Sequence, residues 1–291
     1  MKLVCIPAYN AEKKIGDVVK KSLEYVDEVI VCDDGSTDNT AKIASESGAR
    51  VISHKKNQGY GAALITMFEQ ARKDNADVMI TLDGDGQHDP GEIPLFLKSL
   101  EVKNVDVVIG SRFLNNKKTL PAYRKTGIKI ITSAVKLGNK LKITDAQSGY
   151  RAYSKKAIEA IHLTETGMAA STEILHKISN RGLTILEVPI NVSYEGETSK
   201  HNSLSHGISV LGNTLKFISV KHPMVFYGIP GIALLISGFI LGYNFLDAYL
   251  VHKVLFLGSL FGSLVLILIG VVLIATSVIL YSMSNLWREQ K

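Results

Sequence analysis

Three aspartates stand close together in the segment TLDGDGQHDP, residues 81–90. Asp83, Asp85 and Asp89 fall within seven positions, where an apolar run ends. Like charges at this spacing repel one another, so the cluster is costly unless a cation or a basic partner neutralises it. Carboxylate oxygens are ligands for hard divalent cations, and the twelve-residue pattern of an EF-hand is missing. We therefore expect an ion-binding turn here, with a metal-free acidic turn as the alternative.

Two other polar segments follow strand-like runs. PAYN ends the first run and DDGSTD ends the second, and the first hundred residues alternate β-rich runs with helical periods. This alternation predicts a parallel sheet with crossover helices. Ligands of α/β sheets bind beyond the carboxyl ends of the strands, where all three polar segments lie. Neither GxGxxG after the first run nor GxxxxGK[ST] is found, which weakens the dinucleotide and P-loop alternatives.

Turn and capping signals set the bounds of several elements. Ser36 or Thr37 is expected to cap the helix after the second strand, and Gly48 to end it. The patterns also predict a helix from about 61 to 73, a strand at 106–113, a basic helical region at 121–142 and a late strand at 183–194.

Two long apolar stretches follow the mixed part of the chain. Pro223–Leu246 and Val254–Met283 contain no charged residue. At 1.5 Å per residue they are about 35 and 45 Å long, against roughly 30 Å of hydrocarbon in a bilayer. We predict two membrane spans, about 224–246 and 254–282, joined by the link Asp247–Lys253. A buried core hairpin is the alternative.

Basic residues flank this pair of spans. Lys216, Lys221 and His222 precede the first span, and Arg288 and Lys291 follow the second. The positive-inside rule therefore places both ends in the cytoplasm. Cys5 and Cys32 lie in strand-like runs without CxxC spacing, as expected of reduced cytosolic thiols.

The segment before the spans has a helical apolar stripe. It predicts an amphipathic helix on the membrane surface, or one packed on its own domain; the stripe comprises Leu204, Ile208, Leu211, Leu215 and Ile218. The predicted organisation is thus a soluble domain at 1–202, an interfacial helix at 203–222, a transmembrane hairpin at 223–283 and a cytoplasmic tail at 284–291.

The formal net charge is +6. This charge suits nucleic acid, anionic lipid or phosphorylated substrates as partners. With two spans predicted, we favour membrane lipid and a phosphate-bearing lipid, and expect no nucleic acid. Association of the chain with further copies of itself is left open.

Six segments in a fixed order carry a family resemblance. They are PAYNAEKKI, VCDDGSTDNT, NQGYGAAL, LDGDGQHDP, GSRF and DAQSGYRAYSKKAI. Together they resemble family 2 inverting glycosyltransferases, and most closely the dolichyl- or polyprenyl-phosphate sugar synthases of the dolichol-phosphate mannose synthase group. The likeness covers residues 1 to about 200. It implies an α/β fold of the GT-A type, a Rossmann-like, mostly parallel sheet with helices on both faces.

The resemblance also implies a donor site. Its metal shell, for Mg²⁺ or Mn²⁺, is Asp83, Asp85 and Gln87, and His88 is expected to be structural. The nucleotide-binding residues are Pro7, Tyr9, Asn10, Glu12, Asp34 and Asp83. A carboxylate can accept hydrogen bonds from ribose hydroxyls or a base N–H, and an aromatic ring can stack on the base. Both properties agree with these assignments. Asp33 is expected to form the turn only.

An acceptor site is implied in the same way. Arginines bind phosphate through paired hydrogen bonds, and the resemblance assigns the lipid phosphate and the acceptor loop to Arg112, Arg124, Arg151, Ser199 and Lys200. The catalytic residues are expected to be Asp85, Arg112 and Arg124. A phosphomonoester is largely ionised at neutral pH, so no strong general base is needed. Asp145 is then expected to position arginines or the acceptor loop, with Glu173 as a further candidate or a packing residue.

The implied reaction transfers a hexose from a nucleotide-diphosphate sugar to dolichyl or polyprenyl phosphate, with inversion, for glycan assembly such as protein glycosylation. Guanosine-linked mannose and uridine-linked glucose or N-acetylglucosamine stay open as donors, and a glycan acceptor is an alternative. A processive synthase is disfavoured because QxxRW is missing, and a nucleotidyltransferase because no glycine-rich loop follows the first strand. A non-catalytic scaffold is disfavoured because the metal residues and Arg112 are all present.

Overall fold

The computed structural model describes residues 1–114, 128–129, 132–133, 141–193, 219 and 223–289. The chain divides into two compact units, Met1–Thr214 and Leu215–Lys291. The predicted interfacial helix at 203–222 and the basic region at 121–142 lie almost wholly outside the described residues, as do the predicted boundaries near residue 202.

The described elements of the first unit alternate strands and helices along its N-terminal half. They are β1 (Lys2–Ala8), α1 (Ile15–Leu23), β2 (Glu28–Asp33), α2 (Thr40–Glu46), β3 (Arg50–Ser53), α3 (Tyr60–Lys73), β4 (Val78–Thr81), a 3₁₀ turn (Pro90–Glu92), α4 (Ile93–Lys103), β5 (Val107–Ser111), β6 (Arg151–Ser154), α5 (Lys155–Ala160), α6 (Ala170–Asn180) and β7 (Ile185–Pro189).

One sheet of seven described strands organises this unit, in the order β3-β2-β1-β4-β6-β5-β7. Strand β6 runs antiparallel to β4 and β5, and the other neighbouring pairs are parallel. The predicted mostly parallel sheet is confirmed, including the strand at 106–113 and the late strand.

Both faces of the sheet are covered by apolar side chains. Leu3 and Cys5 belong to the core on one face, where α3 contributes Met67. Val4 belongs to the core on the other face, where α1 contributes Ile15. Because successive residues of a strand point to opposite faces, the apolar runs of the central strands bury both sides under helices, as predicted.

The predicted helix cap at Ser36 or Thr37 is wrong. Helix α2 begins at Thr40, whose N–H is accepted by Asp38 at 3.0 Å. The Ser36 hydroxyl instead accepts the N–H of Asn10 at 2.9 Å, and the Thr37 N–H donates to the Asn10 side chain at 2.9 Å. These side chains tie two loops together, a long-range contact that a local capping pattern does not reveal.

The second unit contains two apolar helices long enough to cross a membrane. A π-helical turn, Met224–Gly228, leads into α7 (Ile229–His252), and α8 (Leu257–Glu289) follows. The candidate spans are Met224–His252 and Leu257–Met283, with mean hydropathies of 2.1 and 2.9. Only 17% of each apolar window is buried, unlike a helix of a soluble core.

The first span is longer than predicted. The predicted link Asp247–Lys253 is helical as far as His252, and the chain turns at Lys253, which has a left-handed φ of 56°. This link contains neither glycine nor proline to interrupt the helix.

The two apolar helices approach each other at glycines. A Cβ on Gly231 would lie 3.0 Å from the carbonyl oxygen of Gly270, and one on Gly270 would lie 2.8 Å from that of Gly231. The Ser277 hydroxyl donates to the carbonyl of Pro223 at 3.1 Å. Small residues that let backbones touch are typical of helix pairs in membranes.

In the first unit, Gly61 offers a test of a comparably close approach. A Cβ there would lie 2.2 Å from the carbonyl oxygen of Glu165, whereas a Cβ on Gly167 meets no atom within 4 Å. We predict that Gly61→Ala destabilises this unit by about 1–3 kcal/mol, because backbone must move to admit the methyl group. Thermal unfolding of the full-length chain in detergent measures the loss. Gly167→Ala is the matched control, and equal melting of the two variants would contradict the packing described here.

Candidate active site

Three loops meet at one edge of the sheet. Strand β1 lies between β2 and β4 and is parallel to both, so the segments that follow these three strands are neighbours. The N–H of Asp34 donates to the carbonyl of Ala8 at 2.9 Å, which joins the first two of these segments. The three polar segments therefore lie at the common edge that the sequence predicted.

The carboxylates after β4 have separate surroundings. The N–H of Gln87 donates to Asp85 at 2.9 Å, which shapes the turn between them. Asp89 accepts the N–H of Gly91 at 3.0 Å and so caps the following 3₁₀ turn. Asp83 lies against Gly149, where a Cβ would come within 2.8 Å of its carboxylate. The SGYR glycine thus leaves room for Asp83, a reason that the sequence alone did not supply.

The charge at this turn is poorly compensated. Burial holds the pKa of Asp83 above its ordinary value, although the positive charges of Arg112 and Arg151 oppose the shift. Partial burial, and then the negative charge of Asp83, raise the pKa of Asp85. A divalent cation bound between these two carboxylates would stabilise their ionised forms.

The donor set suits magnesium or manganese. Within the described part of the chain, no group of three or more His, Cys, Asp or Glu residues is placed to hold a metal. The predicted set instead has two carboxylates, Asp83 and Asp85, and the amide oxygen of Gln87. Magnesium typically takes one or two carboxylates and completes its shell with water and substrate phosphate, so these residues fit such an ion.

The predicted nucleotide-binding residues lie at the same edge. Pro7 is in β1, and Tyr9 follows it with half of its surface exposed. Asn10 has a φ of 50°, a left-handed conformation that asparagine tolerates. Glu12 accepts the N–H of Asn39 at 3.1 Å. An exposed ring beside a pinned loop can stack on a base, but the roles of these residues stay predictions.

Asp34 is engaged within the protein. It is buried and accepts the N–H groups of Gln58 and Gly59 at 2.9 and 2.8 Å, and its carboxylate lies 2.7 Å from Nδ1 of His54. It therefore anchors the NQGYG segment, which the sequence did not indicate. Asp33 accepts the N–H of Ser36 at 3.1 Å, the turn role expected of it.

Arg112 is held by a buried carboxylate. Its Nε and Nη2 donate to the two oxygens of Asp145 at 2.6 and 2.8 Å, and Asp145 is fully buried. Glu187 in β7 accepts the N–H groups of Thr144 and Asp145 at 2.8 and 3.0 Å, which fixes that carboxylate in turn. The predicted positioning of an arginine by Asp145 is confirmed, whereas Glu187 was missed.

Arg151, predicted for the acceptor phosphate, lies inside the protein. Its side chain is buried, and it donates to the carbonyls of Ser148, Ala146 and Ser171 at 2.8, 3.0 and 3.2 Å. The guanidinium thus holds these backbone segments together, and its acceptor role stays a prediction.

Glu173 also has a structural place. It accepts the N–H groups of Thr164 and Glu165 at 3.0 and 2.9 Å and pairs with Lys177 at 3.0 Å. Other residues predicted for the acceptor side lie outside the described residues, and their roles stay predictions; they are Arg124, Ser199, Lys200, His201 and Asn202.

Comparison with known proteins agrees with this geometry. The model of the family described as glycosyl transferase family 2 matches residues 3–161. The chain belongs to this family. The predicted resemblance is thereby confirmed, and the matched range contains every segment that carried it.

Named relatives of this family 2 glycosyltransferase include two archaeal proteins. A UDP-N-acetylglucosamine–dolichyl-phosphate N-acetylglucosaminyltransferase of Methanococcus voltae is 34% identical, over 65% of this chain and 84% of that protein. A dolichyl-phosphate hexose transferase of Haloferax volcanii is 30% identical, over 71% and 89%.

A solved structure shows the same fold. Glucosyl-3-phosphoglycerate synthase from Mycobacterium tuberculosis, in complex with Mn²⁺, uridine diphosphate and glucosyl-3-phosphoglycerate, aligns with a TM-score of 0.60. The identity is 22%, and the match covers 74% of this family 2 glycosyltransferase and 79% of that chain. The GT-A fold expected from the sequence is confirmed.

The ion pair at Arg112 allows a test of how this glycosyltransferase fixes its site. We predict that Asp145→Asn destabilises the first unit by about 3 kcal/mol, because it removes the charge that compensates a largely buried guanidinium. Lys156→Ala, which removes the exposed lysine of a pair with Asp106, is the control and is expected to cost less than about 1 kcal/mol. Thermal unfolding of the full-length variants measures the two losses of stability. Equal losses would contradict a special role for Asp145.

Proposed function

We propose that this chain transfers a hexose from a nucleotide-diphosphate sugar to dolichyl or polyprenyl phosphate, with inversion, on the cytoplasmic side of the membrane. The observation that carries the proposal is a pairing of opposite charges at one sheet edge. Two carboxylates that fit a divalent cation lie there, and Arg112 is near enough to Asp83 for its positive charge to oppose the upward shift of the Asp83 pKa. Such an edge can hold a diphosphate and a phosphomonoester side by side.

On the donor side, Asp83, Asp85 and Gln87 would hold Mg²⁺ or Mn²⁺, which when bound offsets the charge of the departing diphosphate. Tyr9 would stack on the base, and Asn10, Glu12 and the Pro7 backbone would line the nucleoside. With the cation bound there, the diphosphate would leave on the side opposite the attacking group, as an in-line displacement requires.

On the acceptor side, Arg112 would bind the lipid phosphate, held in orientation by Asp145. Arg124 would share that phosphate, and Ser199 and Lys200 would lie in the loop that closes over it. A phosphate oxygen forms a bond to the anomeric carbon as the bond from that carbon to the diphosphate breaks, and the bonding electron pair leaves with the diphosphate. Since the attacking oxygen is already ionised, no residue is required to remove a proton.

The two apolar helices support a lipid acceptor. They would place the chain in the membrane, where a long isoprenoid chain stays, and bring the acceptor phosphate to the headgroup level. Basic residues before and after the helices favour a cytoplasmic active site. The named relatives act, by their names, on dolichyl phosphate.

The donor sugar is the least constrained part of the proposal. We place guanosine-linked mannose first because of the motif resemblance. A relative named as an N-acetylglucosaminyltransferase, 34% identical, makes uridine-linked N-acetylglucosamine the second donor. Uridine-linked glucose is the third.

The test is transfer of radiolabelled sugar to polyprenyl phosphate by the purified full-length chain in detergent. We expect a lipid-linked product from one donor in a panel, with Mg²⁺ or Mn²⁺ present, and its loss on adding chelator. Asp85→Ala should lower the rate by about 100-fold or more, because it removes a metal ligand that stabilises developing charge. Asp89→Asn, in the same turn but only a helix cap, should remain active.

Two results would contradict the proposal. One is a product that forms equally well in the presence of chelator, which would show that the reaction needs no metal. The other is transfer to a glycan and not to the lipid, which would support the glycan-acceptor alternative and require new roles for Arg112 and Arg124.

A further inference from the structure

One buried polar atom beside the carboxylate turn has no partner. His88 is 6% exposed, and among the described residues its Nδ1 makes no hydrogen bond. This nitrogen lies 3.7 Å from Oδ2 of Asp83, beyond hydrogen-bond length. A buried polar nitrogen left unpaired is costly, so the placement calls for an explanation.

The imidazole ring is fixed from one side by aromatic packing. Its centroid is 5.2 Å from that of Tyr150, which stacks in turn on Phe96 at 4.2 Å. The Tyr150 hydroxyl donates to the carbonyl of Asp89 at 3.2 Å, next to His88 in the chain. The ring therefore has little freedom to rotate towards another partner.

The backbone around His88 is fixed as well. His88 forms an antiparallel bridge with Val192, and the N–H of Ser193 donates to the carbonyl of Gln87 at 3.0 Å. The side chain of Asp83, by comparison, is 35% exposed. Of the two groups, the carboxylate is the one that can adjust its position.

The chemistry of the two groups is complementary. An ionised carboxylate accepts hydrogen bonds only, and an imidazole Nδ1–H can donate one to it. Groups that donate to metal-binding carboxylates orient them and raise the affinity of the site.

We propose that His88 is a positioning residue for the cation site: its Nδ1–H donates to Oδ2 of Asp83 and holds that carboxylate in the orientation that binds the divalent cation. This inference rests on the metal site of the proposed function. The carboxylate is then held on two sides, by His88 and by the backbone of Gly149, which leaves no room for a Cβ.

The test is the dissociation constant of Mn²⁺, followed by the electron paramagnetic resonance signal of the free ion, for the full-length chain in detergent. His88→Phe keeps a ring but removes the donor, and His88→Asn places an amide N–H near the position of Nδ1. His88→Gln places its amide farther out, near the position of Nε2. We expect Phe and Gln to weaken Mn²⁺ binding by about 10–100-fold, and Asn to restore most of the affinity.

Thermal unfolding of the same samples separates positioning from folding. A purely structural role would lower the melting temperature of the variants while leaving the Mn²⁺ affinity of the folded protein unchanged. Unchanged affinity in His88→Phe, or equal weakening in the Asn and Gln variants, would overturn the proposal for His88. Failure of the unmodified chain to bind Mn²⁺ would instead reject the metal site itself, and the inference with it.

Discussion

The repulsion between Asp83 and Asp85 is the constraint on which the rest of the first unit depends. Both carboxylates follow strand β4, at the edge of the sheet where the loops after β1 and β2 begin. A cation-binding turn is useful at this edge only if those loops hold a ligand. Burial raises the pKa of both groups, so the folded chain without a cation holds them against their own electrostatic preference. Carboxylates held with shifted pKa values in this way are typical of functional sites.

Contacts from distant parts of the chain make this edge rigid. The Thr81 hydroxyl donates to the carbonyl of Gly149 at 2.8 Å, which brings the SGYR segment against Asp83. From the next strands of the sheet, Glu187 fixes the segment that carries Asp145, and Asp145 fixes Arg112. Acidic and basic halves of the site are thus set by the same sheet, so the distance between them is not left to flexible side chains.

Much of this could be predicted from the sequence, because the information was local. Alternating periods indicated the sheet, and the polar segments at strand ends indicated the binding edge. The cap predicted at Ser36 or Thr37 failed for a different reason: both residues make hydrogen bonds to Asn10, in a loop that only the fold brings near. The burial of Arg151 against three backbone carbonyls is likewise marked by no local pattern. Glu187 lies 43 residues from its partner Thr144, and no local pattern marks it.

The most direct test of a cation at the carboxylate pair is an anomalous difference map. Crystals of the full-length chain would be grown with Mn²⁺ and a nucleoside diphosphate, and data collected at the manganese absorption edge. We predict one strong peak next to the diphosphate, within bonding distance of the carboxylates of Asp83 and Asp85 and the amide oxygen of Gln87. A well-ordered diphosphate at this edge with no peak beside these residues would contradict it.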